Sequence, residues 1–292
     1  MREMALDRQI ANVLSFDVED WYQGIEIGMD RWSGFERRLE RGLVPALDAL
    51  GRAGAKGTFF VLGRCAEEHP SLIRRIADAG HEVGTHGYSH TKVYDMTPAA
   101  FEADLARSIE VITAATGRPV HGFRAPYFSI TQKSLWALDL LAKHGIRYDA
   151  SIYPGPNWRY GIDGAPEHPH RLDSTGMPEF PTSIGRLGRL KFGLGGAYFR
   201  ILPYPVMARA IRGINRAGHP AMFYLHPWEF DPGHPFVRFR RKAQLTHYFR
   251  LGVTARRFDR LLADFRFTTA EAALAELGLL SGSSPDPSTA AA

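Results

Sequence analysis

Thr58-Phe59-Phe60-Val61-Leu62-Gly63 and, one helix-length further on, His81-Glu82-Val83-Gly84-Thr85-His86 decide how this chain folds. The first stretch is a short apolar run stopped by glycine, which suits a strand buried on both faces. Between the two, Pro70 opens and Gly80 closes a helix pattern with Leu72, Ile73 and Ile76 on its apolar side. The second stretch is another short strand, and it ends on a histidine. Strand, helix and strand in that order form a βαβ unit with parallel strands.

The same rhythm extends in both directions. Upstream, Val13-Leu14-Ser15-Phe16 reads as a strand that runs into Asp17-Val18-Glu19-Asp20. A helix pattern follows from about Phe35 to Ala53, with Leu39, Leu43, Ala46, Leu47 and Leu50 on one face. Downstream, Thr97-Pro98 pairs an N-cap with a first-turn proline, and that helix runs to about Thr116 before Gly117. Gly122-Phe123-Arg124 is a strand end, Gln132–His144 a helix and Ile146-Arg147-Tyr148 a strand. Residues 153–198 lose the rhythm; rich in Gly, Pro and Arg, they read as long loops and antiparallel strands decorating a barrel. A helix over 205–217, the strand Ala221-Met222-Phe223-Tyr224-Leu225 and a last helix over 255–279 complete the pattern. The expected architecture is α/β, a parallel sheet or barrel. No internal repeat or linker interrupts it, so one domain is expected over residues 10–280, with a C-terminal extension from about 229 and a disordered tail over 281–292.

Composition narrows the class. With 292 residues and 45% hydrophobic content, the chain can bury one sizeable core. Lys plus Arg number 36 against 31 Asp plus Glu, but the basic residues are mostly Arg distributed along the chain. The densest runs, Arg238-Phe239-Arg240-Arg241-Lys242 and Arg256-Arg257, are short enough to read as solvated faces rather than a nucleic-acid site. The lone cysteine, Cys65, excludes an intramolecular disulfide and a Cys-based zinc site, and its apolar setting predicts a buried thiol. No stretch approaches the ~20 apolar residues of a membrane span, and Met1–Asn12 lacks a signal-peptide core, so a soluble, cytoplasmic protein is expected.

Functional groups in parallel α/β folds gather at the carboxyl ends of strands. Four polar groups stand there: the acids from Asp17, then His86, Arg124 and His226. His86 and His90 sit four residues apart in a glycine-containing loop, which can turn both imidazoles toward one divalent ion. Three carboxylates in four residues repel one another unless a cation or base is near, so one of them can bind metal while another accepts a proton. Strand alternation puts Asp17 and Glu19 on one side and Asp20 on the other. Arg124-Ala-Pro-Tyr127 places a fixed cation beside a rigid turn, suited to holding a carboxylate ionised and to aiming the Tyr127 N–H at an oxyanion. His226 is a candidate general acid, with Asp149 the candidate for fixing its tautomer. Trp21, Tyr22, Tyr127 and Trp228 flank these motifs, where aromatic rings can stack on a substrate or simply pack.

Together these segments resemble the polysaccharide deacetylases of the NodB-homology class, carbohydrate esterase family four. The resemblance runs from about Val13 to Trp228 through Ser-Phe-Asp17-Val-Glu19-Asp20-Trp, Thr-His86-Gly-Tyr-Ser-His90, Arg124-Ala-Pro-Tyr127, a looser match at Tyr148-Asp149-Ala-Ser151, and Tyr-Leu225-His226-Pro-Trp-Glu. It implies a distorted (β/α) barrel, with seven parallel strands expected, and a hydrolase that removes N-acetyl groups from a carbohydrate with a divalent metal, foremost Zn2+. It implies Asp17 as base, His226 as acid and His86 and His90 as metal ligands. The third ligand is Glu19 by an Asp-x-Asp-like spacing, with Asp20 the alternative, because the first motif departs from adjacent aspartates. Asp-Val-Glu-Asp-Trp with His-Pro-Trp-Glu is similar to the branch tied to bacterial exopolysaccharide biosynthesis. Other relatives open cyclic amides or imides, and a non-catalytic sugar-binding protein is the remaining alternative. Oligomeric state is not written in the sequence.

Overall fold

Seven residues, Asn12–Val18, form β1, and every one of their side chains is buried. In this computed structural model, which describes residues 10–155, 160–188, 190–239 and 241–280, β1 is the spine of the sheet. The tail expected from Ser281 lies outside the described residues. On one side of β1 follow β2 (Thr58–Val61), β3 (Glu82–Thr85), β4 (Gly122–Phe123) and β5 (Tyr148–Asp149). The row continues through β7 (Pro178–Glu179), while β10 (Met222–Leu225) flanks β1 on its other side. These seven strands are mutually parallel. An antiparallel β6 (His170–Arg171) closes the far edge, and β11 (Phe267–Thr268) runs parallel to the start of β1.

The seventh parallel strand, β7, comes from the stretch that sequence reads as decoration. Among the described residues no ladder joins β7 to β10, so the sheet curls as an incomplete barrel. The gap is bridged by the feet of a separate hairpin, β8 (Ile184–Leu187) with β9 (Leu190–Gly193). There Met222 N–H donates to Ser183 Oγ at 2.8 Å, and Tyr224 N–H to Leu194 O at 3.1 Å.

Two expected helices differ from the observed ones. The helix expected over 132–144 begins only at Ala137, because Thr131 N–H donates to Ser134 Oγ, and that hydroxyl donates to Ser129 O, in a preceding turn. The helix expected over 255–279 is two, Thr254–Asp264 and Ala270–Glu276. Phe265 turns extended, β11 pairs with β1, and Thr269 caps the second helix through the Ala272 N–H.

The Leu39–Ala53 helix lies against the turn that follows β10, and Gly42 makes that contact possible. A Cβ at Gly42 would come within 2.0 Å of Pro227 O. Neither backbone can yield cheaply, so Gly42→Ala is expected to lower stability by on the order of 1–3 kcal/mol, read as a lower Tm.

Candidate active site

The register places the chemistry. Phe16 pairs with Leu225, Val61 with Thr85, Thr85 with Phe123, and Phe123 with Asp149. The next residue on β1, β3, β4 and β10 is therefore Asp17, His86, Arg124 and His226, all at one rim of the sheet. Asp17, His86 and His226 line a cavity of about 230 Å³ together with Glu19, His90, Tyr127, Trp228 and His247, while Arg124 is buried beside Asp17.

Glu19, His86 and His90 are buried and bring one ligand atom each to within 4.8 Å of one another, the one such group among the described residues. The His86 Nδ1 lies 2.8 Å from Arg124 O. A carbonyl only accepts, so Nδ1 carries the proton and the Nε2 lone pair is left for a metal. Burial pushes the His86 imidazolium down to about 4, which favours the neutral, ligating form. The His90 Nε2 approaches Glu19 Oε2 to 2.6 Å, yet Glu19 Oε2 and His90 Nδ1 both lack hydrogen-bond partners. A 2.6 Å approach outside hydrogen-bond geometry, between two buried groups, marks a place where charge and directionality are owed to a third party. Two imidazoles and a carboxylate are a donor set for zinc or a similar divalent ion, so these residues fit a metal. His90 holds a left-handed φ of 57°, as do Tyr127 at 56° and Phe128 at 52°. Such strain in non-glycine residues collects at functional sites.

Asp20 is not part of this group. Its Oδ1 accepts the Trp21 N–H at 2.8 Å, and its Oδ2 accepts Arg38 and Leu39 N–H at 2.7 and 3.1 Å. It satisfies unpaired donors at the start of the Leu39–Ala53 helix, which corrects its candidacy as a ligand. Glu19 instead accepts the Trp228 indole N–H on Oε1 at 3.2 Å.

Asp17 is gripped by Arg124, whose Nη1 is 2.8 Å from Oδ1. Arg124 is fully buried and also donates to Ser15 Oγ at 2.9 Å and Ala150 O at 3.1 Å. It positions Asp17. Burial pushes the Asp17 carboxyl up, but Arg124 and then His86 and His226 override it and hold it below the usual carboxylate range.

His226 faces Asp17 and Glu19 across the cavity, its Nε2 3.9 Å from an oxygen of each. Its ring is not fixed by Asp149, which corrects that expectation. Asp149 accepts from Ser151 Oγ at 2.5 Å and sits opposite Glu179 in the sheet. Burial pushes both carboxyls up, and the Asp149 charge pushes Glu179 further. The His226 partner is Glu229, whose Oε1 is 2.9 Å from Nδ1 and accepts the His226 N–H at 3.0 Å. Its other oxygen, Oε2, meets Arg200 Nε at 2.8 Å in a pair with almost no exposure. Burial pushes the imidazolium down, but the Glu229 bond and the Glu19, Glu229 and Asp17 charges raise it to about 9.

Glu229 was visible in the sequence as an acid three residues after a strand-end histidine, the spacing of a capping box, which this turn forms. Arg200 carries no such signal. It lies just past the stretch that loses the rhythm, yet it also binds the carbonyls of Thr246 and His247 at 2.8 and 3.2 Å, fixing a cavity wall. Trp228 stacks on both His226 and His247, at 5.0 and 4.1 Å. Trp21 and Tyr22 are packed in the core, with 1% and 2% exposure, and offer no face to a sugar.

Residues 33–148 match the polysaccharide deacetylase family model, and residues 150–275 match a domain of unknown function, DUF3473. A peptidoglycan deacetylase of Helicobacter pylori is 32% identical over 152 residues, 51% of this chain and 51% of that protein. A peptidoglycan-N-acetylglucosamine deacetylase of Bacillus cereus is 33% identical over 94 residues, 32% of this chain and 34% of that one. The chain thus spans about half or less of the length of these curated relatives. In fold it is similar to a candidate polysaccharide deacetylase from Mycobacterium smegmatis, at a TM-score of 0.63 and 19% identity, covering 96% of this chain and 95% of that one. The first half of the chain is thus similar to polysaccharide deacetylase domains, over the residues 33–148 that the family model matches. His86, His90 and Arg124 lie in the deacetylase match, whereas Arg200, His226, Glu229 and His247 lie in the DUF3473 match. One sheet runs through both.

Proposed function

We propose that the protein is a metal-dependent hydrolase that removes N-acetyl groups from a carbohydrate polymer or oligomer. The observation that carries this reading is one cavity lined by the Glu19–His86–His90 triangle, Asp17 and His226, with the His226 Nε2 3.9 Å from both Asp17 and Glu19. A divalent ion held by Glu19, His86 and His90, with Zn2+ foremost for this donor set, would acidify a water and polarise the amide carbonyl. Asp17, kept ionised by Arg124, takes the proton from the attacking water. His226, charged at neutral pH, delivers one to the departing sugar amine. Tyr127 lines the same wall, where its amide serves the developing oxyanion and its ring, with Trp228, borders the sugar. The match to peptidoglycan deacetylases supports an N-acetylated sugar as substrate. The Asp-Val-Glu-Asp-Trp and His-Pro-Trp-Glu motifs favour exopolysaccharide biosynthesis as its setting.

The test is acetate release from defined N-acetylated oligosaccharides with added zinc, with added cobalt and after chelation. Release that needs metal is the expected result. Ring opening of a small imide without acetate release would move the substrate to the cyclic amides, and no turnover of either would leave a binding protein. The ligand assignment has its own test in metal content after purification. Glu19→Ala is expected to lose bound metal by at least about tenfold, since losing only an outer-shell partner of a ligand already costs about 10–100-fold. Asp20→Ala keeps it and instead lowers Tm through the uncapped helix.

A further inference from the structure

The net positive charge of the chain is not spread as evenly as its arginines. From Pro232 to Thr254 there are five Lys or Arg residues and no Asp or Glu. That equals the whole-chain excess of 36 basic over 31 acidic residues, so the rest of the chain is balanced. The same segment exposes its largest apolar side chains. Phe236 is 62% exposed, Leu245 66% and Phe249 37%, and together with Tyr248 and Arg250 they line one shallow depression. Phe236 and Tyr248 pack ring to ring at 4.8 Å. The helix Arg241–Tyr248 therefore has two faces. His247 is turned into the active-site cavity, while Leu245 is turned out into the depression.

We infer that this outer face, Phe236, Leu245 and Phe249 beside Arg250 in a segment with four further Lys or Arg residues, docks the protein on an anionic lipid surface. Basic side chains beside exposed aromatic and aliphatic ones are the chemistry of interfacial binding: the charges draw the protein to anionic headgroups and the apolar groups enter the acyl boundary. A soluble polyanion would use the arginines alone and leave Phe236 and Leu245 in water, and an aliphatic Leu offers no ring to stack on a sugar. Docking there sets the cavity next to the lipid surface, because the segment that docks is also a cavity wall. The inference concerns this surface and does not depend on the chemistry inside the cavity.

The experiment is flotation of the full chain with vesicles of phosphatidylcholine alone and with about one third phosphatidylglycerol. Wild type is expected to bind the anionic vesicles at least about tenfold more tightly, and to lose that preference near ~0.5 M salt. A Phe236→Ser/Leu245→Ser double variant is expected to bind them about tenfold more weakly, with unchanged Tm and unchanged acetate release from a soluble oligomer. Equal binding to both vesicle types, or none, overturns the inference. So does a double variant that binds like wild type while both proteins bind dextran sulfate, since that would assign the surface to a polyanion.

Discussion

Asp17→Asn is expected to release acetate on the order of 10³-fold more slowly than wild type while retaining its metal. Among the described residues, Asp17 and Glu19 are the carboxylates that line the cavity, and Glu19 belongs to the candidate ligand triangle, which leaves Asp17. Asparagine keeps an acceptor for the Arg124 Nη1 that lies 2.8 Å from Oδ1, so the geometry survives in outline. What it loses is the ability to take a proton. The loss should fall on kcat with little change in KM, because a base acts in the transition state rather than in binding.

The substitution also removes the counter-charge of a fully buried guanidinium, and breaking a buried pair on one side can cost about 3–5 kcal/mol. Arg124 is cushioned by its bonds to Ser15 and Ala150 and by the Phe60 ring 4.3 Å from its guanidinium carbon. Activity should therefore be referred to metal-loaded, folded protein, with Tm measured beside it. A variant with full metal, wild-type KM and wild-type kcat would remove Asp17 from the reaction.

The Glu19–His86–His90 triangle could be anticipated because it depends on local spacing. His86 and His90 belong to one loop, and period-two alternation out of β1 puts Asp17 and Glu19 in the cavity and Asp20 behind it. The strand-helix rhythm from Val13 to Tyr148 carried most of the parallel sheet in the same way. The acid half was harder because it depends on contacts between distant segments. Asp149 stands at a strand end and looked suited to holding an imidazole, but β7 brings Glu179 beside it and turns both carboxyls to each other. β7 itself has two residues, too few for any periodic signal. Arg200 meets Glu229 across 29 residues, and the wall it anchors lies 46 to 49 residues away. No local pattern records such a pairing, so only the near end of the chain from Arg200 to Glu229 to His226 could be read in advance.

That relay yields the second large effect, Glu229→Gln. Without the Glu229 charge, burial has less opposing it, and the His226 imidazolium falls from about 9 toward or below neutrality. The sign follows from the role. A general acid must be protonated, so wild-type kcat should decline as pH rises through the His226 pKa, and a bound dication would set that limb at or below about 9. In Glu229→Gln the limb moves to lower pH, and at neutral pH kcat falls by about 10²-fold, the lower end of the range for losing an acid catalyst. Arg200 is left unpaired beside a neutral amide, so Tm should also fall. Lost stability alone would scale the whole pH profile down without moving it. A pH–rate profile of the folded fraction therefore separates the two effects, and an unshifted alkaline limb would show that Glu229 holds the wall through Arg200 and does not tune His226.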